Sequence, residues 1–187
     1  MKITKKSTAL TAFFMVGATL AAKICGMLRD VLIASMYGTQ TAEAIAFSSA
    51  SRIPVLFFDI ALGSAVTSAF IPVFNEYLLE GGKDRAMQFA NRFINLVAFI
   101  TVLFSAFGIV FSTQIVSLIA GGYDDAVLSL ISSLVSILFP MIIFTGLAFC
   151  AVAVLQSFGE FFIPSIISLV SNGFLILYLL IVNQKVT

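Results

Sequence analysis

Hydrophobic positions in this chain gather into long runs, and short polar clusters separate them. A helix needs about 20 apolar residues to cross the hydrocarbon core of a bilayer, so the runs predict about five membrane-spanning helices. They cover residues 8–37, 42–77, 94–120, 126–156 and 161–182, and read together as one transmembrane domain over 1–187. Gly38-Thr39-Gln40-Thr41 ends the first run, and the second is expected to be interrupted near Arg52-Ile53-Pro54. A polar loop is expected over 80–85, with the turn pair Gly81-Gly82 inside it. Gly121-Gly122-Tyr123-Asp124-Asp125 and Ser157-Phe158-Gly159-Glu160 supply the later turns, and Pro140 falls inside the fourth span.

Composition agrees with that pattern. Of 187 residues, 60% are hydrophobic and 10% are charged. A soluble domain carries roughly 25% charged residues, so lipid is the expected solvent and the fold class is an all-α polytopic bundle. The first run also resembles the apolar core of a signal peptide. However, Lys23, Arg29 and Asp30 follow within the same helical stretch, so it reads as a retained span.

The net charge of +1 offers nothing to attract nucleic acid. The chain has no His, which argues against hydrolytic or metal chemistry. Cys25 and Cys150 sit in apolar runs and read as small hydrophobes, and no cofactor is implied. If the spans alternate, Lys2, Lys5, Lys6, Lys83, Arg85 and Arg92 fall on one side of the membrane and Lys185 on the other. The positive-inside rule places that basic side, with the N-terminus, in the cytoplasm.

Charge inside the spans is uneven. Spans three to five carry none in their interiors, whereas the first two hold Lys23, Arg29, Asp30, Arg52 and Asp59. A charge at mid-bilayer costs a few kcal/mol unless it meets a partner or water. Lys23 and Asp30 are seven residues apart, as are Arg52 and Asp59, about 10 Å along a helix and too far for a direct bridge. Arg29 and Asp30 are placed for a local orienting pair. Cross-helix pairing would account for the acids by packing alone. The cations Lys23, Arg29 and Arg52 outnumber the acids beside them, and the surplus points to an anionic ligand such as phosphate, which arginine grips with two N–H groups. Ser129, Ser132, Ser133 and Ser136 form one helical stripe, and Ser165, Ser168 and Asn172 another; both fit close helix packing better than cavity lining. Ser48, Ser49 and Ser51 suggest a loosened helix before Pro54.

Specific residues then resemble a known family. Lys23-Ile-Cys-Gly-Met-Leu-Arg-Asp30 is similar to the first-helix motif of the MurJ/MviN lipid II flippases, and Tyr37-Gly38 to the end of that helix. Arg52-Ile53-Pro54, and Ala69-Phe70-Ile71-Pro72 with Glu76-Tyr77, resemble the second helix and the start of its cytoplasmic loop. Phe139-Pro140 and Leu155-Gln156 resemble the fourth, and Phe162-Ile163-Pro164 with Asn172 the fifth.

The resemblance implies the N-terminal lobe of a MOP-superfamily transporter in the bacterial cytoplasmic membrane. Such a protein moves an undecaprenyl-pyrophosphate-linked precursor, lipid II, by alternating access through a cationic cavity and is no enzyme. Lys23, Arg29 and Arg52 would hold the pyrophosphate, with Asp30, Asp59 and Glu43 as orienting or cation-holding acids. The family's further arginine after the second-helix proline is replaced here by Phe57-Phe58-Asp59. An odd number of spans leaves a C-terminal lobe to come from missing sequence or a second chain. The rival expectations are another exporter of the superfamily, for lipid-linked oligosaccharide or drugs, and a non-transporting membrane scaffold.

Overall fold

The computed structural model describes residues 5–38, 41–63 and 66–186, and every regular element among them is helical. Lys2, Thr39 and Gln40 lie outside the described residues, as do the side chains of Lys5, Lys6, Ser165 and Lys185. The helices are α1 (Lys5–Tyr37), α2 (Ala42–Phe58), α3 (Ile71–Val110), α4 (Ser112–Ile119), α5 (Asp125–Leu138), α6 (Met141–Ser157) and α7 (Phe162–Val186). Two π-helical segments, Asp59–Gly63 and Val66–Phe70, lie between α2 and α3. The chain forms two compact units, Met1–Thr39 with Gly159–Thr187, and Gln40–Phe158.

The architecture is an all-α membrane bundle. Among the described residues, Ala42–Val110 and Phe162–Ile181 are long and apolar enough to cross a membrane, and α5 with α6, bent by 46°, makes a third such run. The 69-residue run cannot be one straight rod, since it would extend about 100 Å. It doubles back. The rings of Phe70 and Phe93 lie 4.9 Å apart and those of Tyr77 and Phe89 5.2 Å apart. In a straight helix the first pair would be separated by about 35 Å. The fold point is Gly82, whose φ of 72° and ψ of −178° belong to a region that a side chain excludes.

This corrects two expectations. The expected turn pair does mark the reversal, at Gly82, but the loop expected over 80–85 shrinks to that residue: helix runs on both sides of it, so Lys83, Asp84 and Arg85 stand on a helical arm. Glu76 and Tyr77, expected where a loop begins, are helical too. The interruption expected at Arg52-Ile53-Pro54 is also displaced. Pro54 lies inside an unbroken α2, and the chain leaves α-helical hydrogen bonding only from Asp59 onward. Ser48 and Ser51 donate to the carbonyls of Ile45 (3.0 Å) and Ser48 (3.2 Å) without opening the helix.

The core of the larger unit is packed by aromatic rings against small residues. Phe58, Phe70, Phe74, Phe139, Ile131, Val97, Val116 and Val135 are fully buried. Phe70 stacks on Phe74 and Phe89, and Phe158 meets Phe74 edge-on. The bend at Phe139-Pro140 is seated on α3: a Cβ on Gly108 would lie 2.1 Å from the Phe139 ring, so only glycine admits it. Gly146 does the same for Thr101, whose Cγ2 would be 2.9 Å from a Cβ there. Helices surrounded by lipid gain little from burial as such, and close approach at small residues supplies the attraction instead. Ser132 belongs to this packing, hydrogen-bonded to Ser112 (3.3 Å) and Thr113 (3.0 Å) of α4. Ser133 and Ser136 instead turn back to carbonyls of their own helix.

Candidate functional site

In the smaller unit, α1 and α7 pack on each other, and Ala22, Asn172 and Leu179 are its buried residues among those described. Ala22, Gly26 and Arg29 follow at helical spacing on one face of α1. Asn172 of α7 sits over that face. Its amide nitrogen donates to the Ala22 carbonyl at 3.4 Å, and its Oδ1 accepts from Arg29 Nη1 at 3.0 Å. A Cβ on Gly26 would come within 3.6 Å of the same amide nitrogen. A carbonyl on one side and a guanidinium on the other fix which way the amide points.

Arg29 is held from its other side by Asp30. Nε and Nη2 both donate to Asp30 Oδ1, at 2.9 and 2.8 Å. The local pair expected from adjacency in sequence is therefore present. The Arg29 side chain remains 32% exposed and that of Asp30 66%. A guanidinium has five N–H donors. Three are engaged here, one each on Nε, Nη1 and Nη2, which leaves one on each terminal nitrogen. Charge-assisted, two-pronged donation of this kind suits phosphate and carboxylate oxygens.

The other predicted residues stand apart from this cluster in hydrogen bonding. Lys23 is exposed on α1, with no polar partner among the described residues. Arg52 is likewise exposed on α2. Glu43 lies in the first turn of α2, beside the cap formed where Thr41 Oγ1 accepts from the Ala44 N–H at 3.3 Å. A negative charge there complements the helix dipole. Asp59 is exposed and opens the first π-helical segment, and its carboxylate would meet a Cβ on Gly63 at 3.3 Å.

Asn172 is the partner whose role sequence reasoning missed. Its spacing groups it with serines as packing, yet it bonds a charged side chain 143 residues away. One signal was available: it is the sole amide between residues 161 and 182, where the other polar side chains are three serines and a tyrosine. A strongly polar group at such a position needs a partner.

Helices long and apolar enough to cross a membrane define the class: an integral membrane protein of the all-α bundle type. The family model described as Lipid II flippase MurJ matches residues 33–187, so the chain belongs to the MurJ family. Curated relatives agree. A probable lipid II flippase MurJ from Buchnera aphidicola subsp. Schizaphis graminum is 33% identical over 162 residues, covering 86% of this chain and 31% of the relative. The lipid II flippase MurJ of Burkholderia cenocepacia is 28% identical over 158 residues, covering 83% and 30%. A probable counterpart from Vibrio cholerae is 26% identical over 168 residues, covering 85% and 32%. The chain thus spans about a third of the length of the curated relatives it matches. No solved structure gives a significant match.

Proposed function

We propose that this chain is the N-terminal part of a lipid II flippase, and that Lys23, Arg29 and Arg52 contact the diphosphate of the lipid-linked precursor. The observation that carries the reading is the state of Arg29 in a MurJ-family chain. It is fixed on two sides and keeps two N–H donors for an anion. Exposed Lys23 and Arg52 add positive charge that no described side chain neutralises. A translocated headgroup has to be gripped and released without any covalent bond changing, so the reading is transport and not catalysis.

The proposal places the protein in the bacterial cytoplasmic membrane with its N-terminus in the cytoplasm. A C-terminal lobe would complete the carrier, and transport would proceed by alternating access, the general habit of transporters with midplane sites. All of residues 1–187 act within one transmembrane domain in this reading, crossing the bilayer about five times. Asp30 serves as an orienting acid, supported by its bonds to Arg29. Asp59 is the better candidate for a coupling cation, since π-helical turns recur at functional sites. Glu43 fits a capping role at the start of α2.

Vesicles carrying fluorescent lipid II test this. The chain is reconstituted alone, and also fused in place of the matching N-terminal part of the Burkholderia cenocepacia flippase. The fusion is expected to flip the lipid, and the triple substitution Lys23→Gln, Arg29→Gln, Arg52→Gln to abolish flipping. Full activity in the triple variant rejects the reading.

A further inference from the structure

We infer that Asn172 is a positioning residue for Arg29: it clamps the guanidinium from α7 so that its two spare N–H groups face the oxygens of a diphosphate. The inference rests on the reading of Arg29 given above and adds a residue on a different span.

Three features support it. First, Asn172 is 8% exposed, yet it spends both ends of its amide on α1, donating to Ala22 O and accepting from Arg29 Nη1. Simple helix packing would be met by an apolar or small residue there. Second, Asp30 alone does not orient the guanidinium. Its two bonds run from Nε and Nη2 to the same oxygen, so the fork pivots about that atom. The bond from Nη1 to Asn172 is the third point that stops the pivot. Third, Asn172 is neutral. It accepts from Arg29 without cancelling its charge, whereas a second carboxylate in that place would compete with the incoming anion. The arrangement trades one acid for one amide, which keeps the cation both held and available. Immobilising an arginine before the ligand arrives removes an ordering cost that binding would otherwise meet.

The test is a two-by-two comparison in nanodiscs with the whole chain: unmodified, Asn172→Leu, Arg29→Gln, and both. Leucine has the same number of side-chain heavy atoms and the same branching as asparagine, though its methyl groups are bulkier, and it makes no hydrogen bond. Affinity is titrated with undecaprenyl pyrophosphate in the disc and with inorganic pyrophosphate in solution. Asn172→Leu is expected to weaken both by about tenfold, the value of a hydrogen bond to a charged group. In the Arg29→Gln background it is expected to weaken neither further. Equal losses on both backgrounds mean a merely structural role and overturn the inference. So does an unchanged affinity in Asn172→Leu, or a loss confined to the lipid-linked probe, which would assign the contact to another part of the headgroup. An unchanged affinity in Arg29→Gln, or no saturable binding by the unmodified chain, overturns the reading of the site itself. Should Asn172→Leu not give a monodisperse helical protein, Asn172→Ser replaces it: it keeps a small polar group but cannot reach Arg29, and the same outcomes apply.

Discussion

The two compact units are held together by different physics. In the unit Gln40–Phe158, fully buried phenylalanines fill the space between helices and glycines let backbones approach. In the unit made by α1 and α7, three residues are buried among those described, and hydrogen bonds around one amide and one guanidinium link the two helices. Lipid makes this division intelligible. Apolar side chains gain little by leaving hydrocarbon for protein, so a stable scaffold must be packed tightly enough to win on dispersion. Charged and amide groups gain much more from one another than from lipid. A region meant to stay rigid can be built from rings and glycines. A region that keeps polar groups within apolar helices must tie them down with hydrogen bonds.

The comparison breaks most visibly at Phe70. Its ring touches Phe74, Phe89 and Phe93 and is wholly buried between the two arms of the hairpin that turns at Gly82. Phe70→Ala is expected to cost about 3 kcal/mol, towards the low end for a core phenylalanine because lipid supplies no transfer penalty. Unfolding of the purified chain in detergent, followed by circular dichroism, measures it. A loss near zero would mean that the hairpin is not held by its ring cluster.

Gly108 comes next. Its missing side chain is the seat of Phe139, and a methyl group there would lie 2.1 Å from the ring. Gly108→Ala is expected to destabilise by about 2 kcal/mol through overpacking, and less when combined with Phe139→Leu. The same unfolding assay reads both. Additive losses would show that the glycine and the ring do not act through their contact.

Much of this fold was legible in the chain. The apolar runs are long enough to mark the chain as a helical membrane bundle, and the Gly81-Gly82 pair marked the reversal at Gly82. What was not legible has a common cause. The π-helical turns after Asp59 follow residues no different in type from those of α2, and Pro54, the obvious breaker, is accommodated inside a regular helix. Both depend on what the neighbouring helices require. The site shows the same split. Arg29 and Asp30 are neighbours in sequence, so their pairing could be anticipated. The amide that completes the clamp is supplied by the last helix described, and nothing local links the two.

The smallest expected effect bears most directly on function, because it separates cations that build structure from cations that do not. Arg29 makes three hydrogen bonds, to Asp30 and to Asn172, and is only 32% exposed. Arg29→Gln leaves Asn172 short of its partner, and is expected to cost about 1 kcal/mol after allowance for the exposure of the pair. Lys23 stands six residues earlier on the same helix, exposed and without a polar partner among the described residues. Lys23→Gln is expected to leave the unfolding curve where it is. A lysine in an apolar span that contributes nothing to holding the helices together still carries the insertion cost of its charge. In the reading proposed above, contact with a negatively charged headgroup balances that cost. If Lys23→Gln instead destabilised the chain as much as Arg29→Gln, both cations would be structural, and the smaller unit would differ from the larger only in the kind of adhesive it uses.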